Sequence, residues 1–239
     1  MKRKVWNSLI ILLLTTLSFS TISCIPHLRG NGKVVKVERN ISNFKAIEVS
    51  NGIDLSITQD SFEKVVVETD ENIQKILKTE VEGQTLKIYL EEGVLHAKKL
   101  NVYVTLKQLK ALDTSSGADA KSTGKINAED LKISSSSGSE AKMEVSCQHL
   151  TAGSSSGSNI KLSGTAQYLT ADSSSGSEIN GSSLVAEKAD LSASSGADID
   201  VQVTRELKAH ASSGAGINVS GSPSVKETDS SSGGSVHIR

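Results

Sequence analysis

Several short motifs in this chain carry residue types used in catalysis, and each can be weighed against the pattern around it. Gly153-Ser154-Ser155-Ser156-Gly157 satisfies Gly-x-Ser-x-Gly, which in hydrolases raises a serine nucleophile on a strand-to-helix elbow. That chemistry needs an α/β sheet with acid and histidine partners, whereas this segment is one copy of a recurring corner. Ser139-Glu-Ala-Lys142 and Ser158-Asn-Ile-Lys161 match Ser-x-x-Lys. A helix would bring that nucleophile and base onto one face, but a strand sends them to opposite faces. Gly117 to Lys125 contains glycines and a lysine without the spacing of a phosphate loop. The histidines (His27, His96, His149, His210 and His237) are dispersed, and His149 and His210 fall in different columns of the repeat. No catalytic residue, metal site or cofactor is expected.

The pattern most able to bind something is a charged ladder. Asp119, Glu140, Asn159, Glu178 and Asp198 each stand two residues after a recurring glycine, and Lys121, Lys142 and Lys161 stand two residues further on. Carboxylates at regular spacing suit hard cations or glycans. The plainer account is a soluble face on which neighbouring acid and lysine columns offset each other's repulsion. The Gly-Gly-x-Gly-x-Asp repeat of calcium-binding solenoids is missing.

The element that must position this ladder is a repeat. Ser-Ser-Gly recurs with its glycine at Gly117, Gly138, Gly157, Gly176, Gly196, Gly214 and Gly233, in steps of 18 to 21 residues. Alternation precedes each glycine (Leu131-Lys-Ile133, Leu150-Thr-Ala152) and follows it (Asp119-Ala-Lys121, Asn159-Ile-Lys161). Period-two alternation means strands with one buried face. A unit of about 19 residues cannot bury that face alone, so neighbours must stack, about 4.8 Å apart. This predicts a mainly β protein, a parallel β-helix of roughly seven coils. A leucine-rich repeat is the nearest rival, but its Leu-x-x-Leu-x-Leu and Asn pattern is missing. Phe44-Lys-Ala-Ile47-Glu-Val-Ser-Asn-Gly52 aligns with Leu109-Lys-Ala-Leu112-Asp-Thr-Ser-Ser-Gly117, which places the first coil near residue 44 and makes Gly52 its corner. The long insertion between them predicts strands at Lys64–Thr69, Thr85–Leu90 and Lys99–Leu106. It also predicts a short helix over Glu71–Lys78 with Asp70 as its N-cap, so the expected cap is mixed α+β.

Composition narrows the functional class. The charges nearly cancel, 26 basic against 27 acidic, which gives no electrostatic case for nucleic-acid binding. Aromatic residues are 3% of the chain, and after residue 104 only Tyr168 is aromatic. A sugar-gripping groove of the kind used by β-helix polysaccharide enzymes is therefore poorly supplied, and an ice-binding face would expect threonine rather than charge. Lys2, Arg3 and Lys4 precede an apolar run through Leu17, and Thr21-Ile-Ser-Cys24 follows. This reads as an export signal too short to span a bilayer. Its end resembles the lipobox of bacterial lipoproteins, which implies lipid attachment at Cys24. Cys147 is then left without a partner.

The divisions expected are an export signal over 1–23, a tether over 24–40, a first coil and cap over 41–112, and the repeat β-helix over 113–239. Phe44–Leu55, Val65-Val-Val-Glu-Thr-Asp-Glu-Asn72, the Ser-Ser-Gly coils and Gly216-Ile-Asn218 resemble the head GIN domain family of auto-transporter adhesins. The resemblance implies a right-handed β-helix in a cell-envelope protein and offers no catalytic residues. No C-terminal membrane barrel is recognised, so adhesion rather than self-transport is what it implies. The expected partners are membrane lipid through Cys24, a glycan or protein ligand, and a second copy through the C-terminal edge, where Ser235-Val-His-Ile238 alternates. The expected location is the outer membrane of a Gram-negative envelope, with a periplasmic scaffold as the alternative.

Overall fold

The computed structural model describes residues 28–239; the expected export signal and Cys24 lie outside them. The described chain is all strand and turn. It opens with β1 (Leu28–Arg29), β2 (Val34–Arg39), β3 (Ala46–Val49), β4 (Asp54–Gln59) and β5 (Lys64–Asp70). Next come β6 (Leu77–Glu82), β7 (Thr85–Leu90), β8 (Val94–His96), β9 (Leu100–Leu106) and β10 (Ala111–Thr114). The long strands are β11 (Asp119–Ser135), β12 (Glu140–Ser154), β13 (Asn159–Ser173), β14 (Glu178–Ala193) and β15 (Asp198–Ala211). The chain closes with β16 (Gly216–Ser220), β17 (Val225–Ser230) and β18 (Ser235–Ile238).

From β3 onward these strands wind into a β-solenoid of about seven turns. The five long strands, together with β3, β4, β10, β16, β17 and β18, pair in parallel with their counterparts one coil away. The register makes the core a set of vertical columns. One runs Leu55, Ala120, Ala141, Ile160, Ile179, Ile199, Ile217 and Val236. A second runs Ile47, Leu112, Ile133, Ala152, Ala171, Leu191 and Ala209. Aliphatic side chains fill these columns because the opposing walls are close, and Phe44 is the one aromatic among the buried hydrophobic residues described. The first coil lies where the alignment places it, since Ala46 pairs with Ala111 and Asp54 with Asp119.

Two corners shape each coil. At the first, both central residues take positive φ: Ser156 +54° and Gly157 +69°, with similar values at every Ser-Gly pair. Serine rarely adopts this conformation, whereas asparagine does so more readily. Asn51 occupies the position in the first coil. The stack holds the serines there, because each corner glycine donates its N–H to the serine carbonyl of the next coil, as Gly157 does to Ser175 at 3.2 Å. The second corner falls at Gln148-His149, where two consecutive residues face outward and Gln148 drops out of the pairing.

Behind the first corner the buried column changes chemistry along the stack. Ser135/Ser139, Ser154/Ser158 and Ser173/Ser177 are buried hydroxyl pairs with O–O distances of 2.8, 2.9 and 3.0 Å. The next two coils carry Ala193/Ala197 and Ala211/Ala215. Both solutions fill the same space. Within its pair Ser158 Oγ is the hub, bonded to the carbonyls of Ser135 and Ser155 at 2.7 Å and to the Ser155 N–H at 3.1 Å, whereas Ser154 Oγ meets only Ser158. Ser158→Ala is therefore expected to cost about 1–3 kcal/mol, and Ser154→Ala distinctly less. Urea unfolding of the two variants checks this; equal losses would refute it.

The cap departs from expectation. It is built of antiparallel strands, β2 on β5, β5 on β9 and β6 on β7, and contains no helix. Residues 71–76 form turns: the N–H groups of Ile73 and Gln74 both meet the Asp70 carbonyl, and that of Leu77 meets Ile73. Asp70 is therefore the last residue of a strand rather than a helix N-cap. Its buried carboxylate accepts from the backbone N–H groups of Gly32 at 2.5 Å and Lys98 at 2.8 Å. From Leu28 on, the stretch expected as a tether carries β1 and β2. β1 pairs with β8, and β2 pairs with β5 from Val34–Asp70 to Arg39–Val65.

At the far end of the solenoid two strands have a neighbour on one side only. Lys226, Thr228 and Ser230 of β17 stand over Leu207, Ala209 and Ala211, so the inward positions become polar where the core stops. Polar groups pointing inward blunt a sheet edge against pairing. On β18 the inward positions remain apolar, Val236 over Ile217 and Ile238 over Val219.

Candidate binding surface

The register assembles the ladder as its spacing implies. Asp54, Asp119, Glu140, Asn159, Glu178 and Asp198 form one outward column, and Lys121, Lys142, Lys161, Asn180 and Asp200 form the next. Lys161 reaches across to Glu140 at 3.0 Å. The Asn159 amide donates to Glu178 at 3.3 Å, and Asn180 donates to the same carboxylate at 3.4 Å. Among the described residues Lys121 and Lys142 form no ion pair within 4.0 Å, so their ammonium groups face solvent. No cluster of three or more metal-ligating side chains forms among the described residues.

Stacked acids act on one another. Partial burial pushes the Asp119 carboxyl above its ordinary range, and Asp54 and Glu140 on either side push it the same way. A carboxyl whose folded pKa is raised opposes folding when ionised, above that pKa, and not when it is protonated in both states. Asp119→Asn is therefore expected to raise Tm modestly at pH 7, with the gain vanishing below about pH 3, near and below the ordinary carboxylate range. Asn159 already takes this form in the same column. Scanning calorimetry at the two pH values checks the sign.

A third outward column, at the Gln148-His149 corner, was not foreseen. Asp130, His149, Tyr168, Lys188 and Glu206 stand in register. His149 Nδ1 lies 3.0 Å from Asp130, its ring stacks on Tyr168 with centroids 5.1 Å apart, Lys188 Nζ sits 5.5 Å from the Tyr168 centroid, and Lys188 pairs with Glu206 at 2.8 Å. The Tyr168 ring is sandwiched between its column neighbours, so a sugar could not lie flat on it. The signal was present in the sequence, since these residues recur at the repeat interval.

The remaining motifs take structural roles. Ser139 and Ser158 are buried behind the corner, while Lys142 is exposed and Lys161 only partly covered, so neither Ser-x-x-Lys pair is a catalytic unit. Within the Gly-x-Ser-x-Gly segment the Ser155 N–H is bonded to the Ser135 carbonyl at 3.0 Å and to Ser158 Oγ at 3.1 Å, and the hydroxyl lies on a turn. His149 and His210 occupy different columns and pair with Asp130 and Asp229. Cys147 is buried, which pushes its thiol up to about 11. Gly52, Gly117, Gly138, Gly157, Gly176, Gly196, Gly214 and Gly233 all occupy corners with positive φ.

Solved structures share this architecture. A putative adhesin from Bacteroides fragilis superposes with a TM-score of 0.83 at 20% identity, covering 89% of this chain and 100% of that one. A putative adhesin from Parabacteroides merdae gives 0.73 at 20%, covering 89% and 99%. A putative lipid binding protein from Parabacteroides distasonis gives 0.72 at 22%, covering 90% and 100%. No curated protein matches in sequence. Residues 43–223 match the family described as putative auto-transporter adhesin, head GIN domain. The chain belongs to that family.

Proposed function

We propose that this chain is a lipid-anchored, non-catalytic adhesin of the bacterial cell envelope, carried by Cys24 and presenting its solenoid face to a glycan or protein. The observation that carries the reading is the unbroken register of the two charged columns, which sets an acid beside a lysine in successive coils at Asp119/Lys121 and Glu140/Lys142. Repeated weak contacts of that kind add through effective concentration. Right-handed winding, the handedness of almost all parallel crossover connections, belongs to the same reading, as does an outer-membrane location. Membership in an adhesin-like family supports the envelope assignment. A polysaccharide-processing β-helix is disfavoured by the occupied faces of Tyr168. The apolar inward positions of β18 make that strand the place where a second copy would pair.

Protease shaving of intact cells, with a permeabilised control and immunoblotting, tests the location. Cleavage in intact cells supports the adhesin and directs a glycan and host-protein screen at the Lys121 and Lys142 face. Protection until permeabilisation sinks it in favour of a periplasmic scaffold.

A further inference from the structure

The end of the solenoid nearest the N-terminus carries an exposed apolar point. Leu95 is 69% exposed, more than Phe62, Tyr168 or Val225, the other exposed large hydrophobic residues. A lone exposed leucine is ordinary on a protein surface; what distinguishes this one is the strand that holds it. Leu95 sits in the middle of β8, between Val94, paired with Leu28, and His96, paired with Arg29. The attachment is fixed at both ends, by Leu28 N–H to the Gly93 carbonyl at 2.9 Å and Gly30 N–H to the His96 carbonyl at 2.8 Å. Beside it lies a depression of about 840 Å³ whose apolar lining includes Leu90, Val94 and Leu100. The charged groups around it are Arg29, Lys98, Lys99 (bonded to Glu68), Glu91 (paired with Lys78) and Glu92. Basic and acidic groups nearly balance there, so no strong charge repels a bilayer.

Covalent reach then sets the position of this point. Leu28 follows Cys24 by four residues, and a fully extended chain advances at most about 3.6 Å per residue. The start of β1 is therefore held within roughly 14 Å of the Cys24 backbone, and its partner β8 lies one strand spacing, about 4.8 Å, from β1. Acyl chains on that cysteine would be buried in the bilayer, which leaves β8 nowhere to lie except at the membrane surface. We infer that the Gly93–Ala97 loop docks on the bilayer with Leu95 entering its interfacial zone, so that the cap faces the membrane and β17 and β18 point away. The inference rests on the lipoprotein reading given above.

The sequence supplies a clean reporter. Its one tryptophan is Trp6, inside the expected export signal, so mature protein carrying Leu95→Trp has a single indole. Full-length Leu95→Trp and Val225→Trp proteins, purified from membranes and reconstituted into phosphatidylcholine/phosphatidylglycerol vesicles, are compared with and without brominated acyl chains. Both positions are exposed, so neither change disturbs the core. The expected result is several-fold stronger quenching at position 95 than at position 225. Equal quenching, or quenching at neither position, overturns the docking. Mass measurement of the same samples separates the two failures. Protein without acyl chains sinks the lipoprotein reading, whereas acylated protein unquenched at position 95 sinks the docking alone. Crosslinking between copies through the loop would likewise overturn it, because the face would then be an interface.

Discussion

Gly164→Ala is expected to destabilise the protein by roughly 2–6 kcal/mol, two to three times the effect of Gly157→Ala. The two glycines are both punctuation in the repeat, yet they are needed for different reasons. At Gly157, φ is +69° and a Cβ would find nothing within 4 Å, so alanine meets only the cost of a left-handed backbone, about 1–2 kcal/mol. At Gly164, φ is +105° and the added carbon would overlap the Val145 carbonyl oxygen in the coil below. Backbone strain of about 1–3 kcal/mol then combines with overpacking of about 1–3 kcal/mol. The obstacle is the ladder backbone itself, which cannot rotate away. Gly221 faces Val203 in the same manner, so Gly221→Ala should follow Gly164→Ala. Denaturant melts of the three variants decide it; similar losses would show that the solenoid relaxes between coils.

Loss of the Asp70 carboxylate should be nearly as damaging. Asp70→Ala removes two hydrogen bonds from part-buried N–H groups, of Gly32 and Lys98, to a buried charged acceptor, worth about 1.5–3 kcal/mol each. The segment around Gly30 packs against the same carboxylate, 2.7 Å from where a Cβ would lie, so the entry of the chain into the fold loosens with it. Burial alone would raise the Asp70 pKa, but the N–H groups of Lys98, Gly32 and Lys99 outweigh it and the net shift is downward. Glu68 is also lowered, first by the Tyr103 hydroxyl at 2.8 Å and then by Lys99, against the opposing effect of burial. Carboxyls with folded pKa values below their unfolded ones contribute stability that is complete above the unfolded values, about 3.9 for Asp and 4.3 for Glu. That stability is lost as pH falls through the folded values. Wild-type protein should therefore lose stability steeply below about pH 4, and Asp70→Asn with Glu68→Gln should be less stable at pH 7 with a flatter acid limb. Equilibrium unfolding at several pH values measures the slope; an unchanged acid limb would remove both groups from the cap's electrostatics.

The parts legible in the sequence were those enforced by repetition. The corner glycines, the inward columns and the charged ladder each recur at every coil, so their register could be read by alignment, and the structure pairs Asp119 with Glu140 and Glu140 with Asn159 as that alignment requires. The cap occurs once, and its β2–β5 and β5–β9 pairings join strands about 30 residues apart, so nothing in the pattern announced them. Ile73 and Leu77 are buried at helical spacing, but a turn followed by a strand buries both equally well. The chain takes the second course, and the Gln74 amide ties the turn to the sheet by donating to the carbonyls of Val35 and Val67, each at 3.1 Å. Likewise Val35 and Val37 alternate with Lys36 and Glu38, a strand signal in the stretch assigned to the tether, meaningless until its partner β5 is known. The serines held at positive φ were also hidden, because serine is an unlikely occupant without the stack that imposes it; Asn51 was the clue.

The junction of β12 and β13 has a further consequence. Their pairing runs from Glu140–Asn159 to Ser154–Ser173 without a shift in register, so the two coils follow one template. A third coil of that template spliced between them would meet the same hydroxyl pair and the same aliphatic columns on both sides. The solenoid is in this sense a telescoping rod, graduated in steps of about 4.8 Å. Duplication or loss of a coil would alter how far its outer end stands from its cap while leaving the backbone ladders on either side in place.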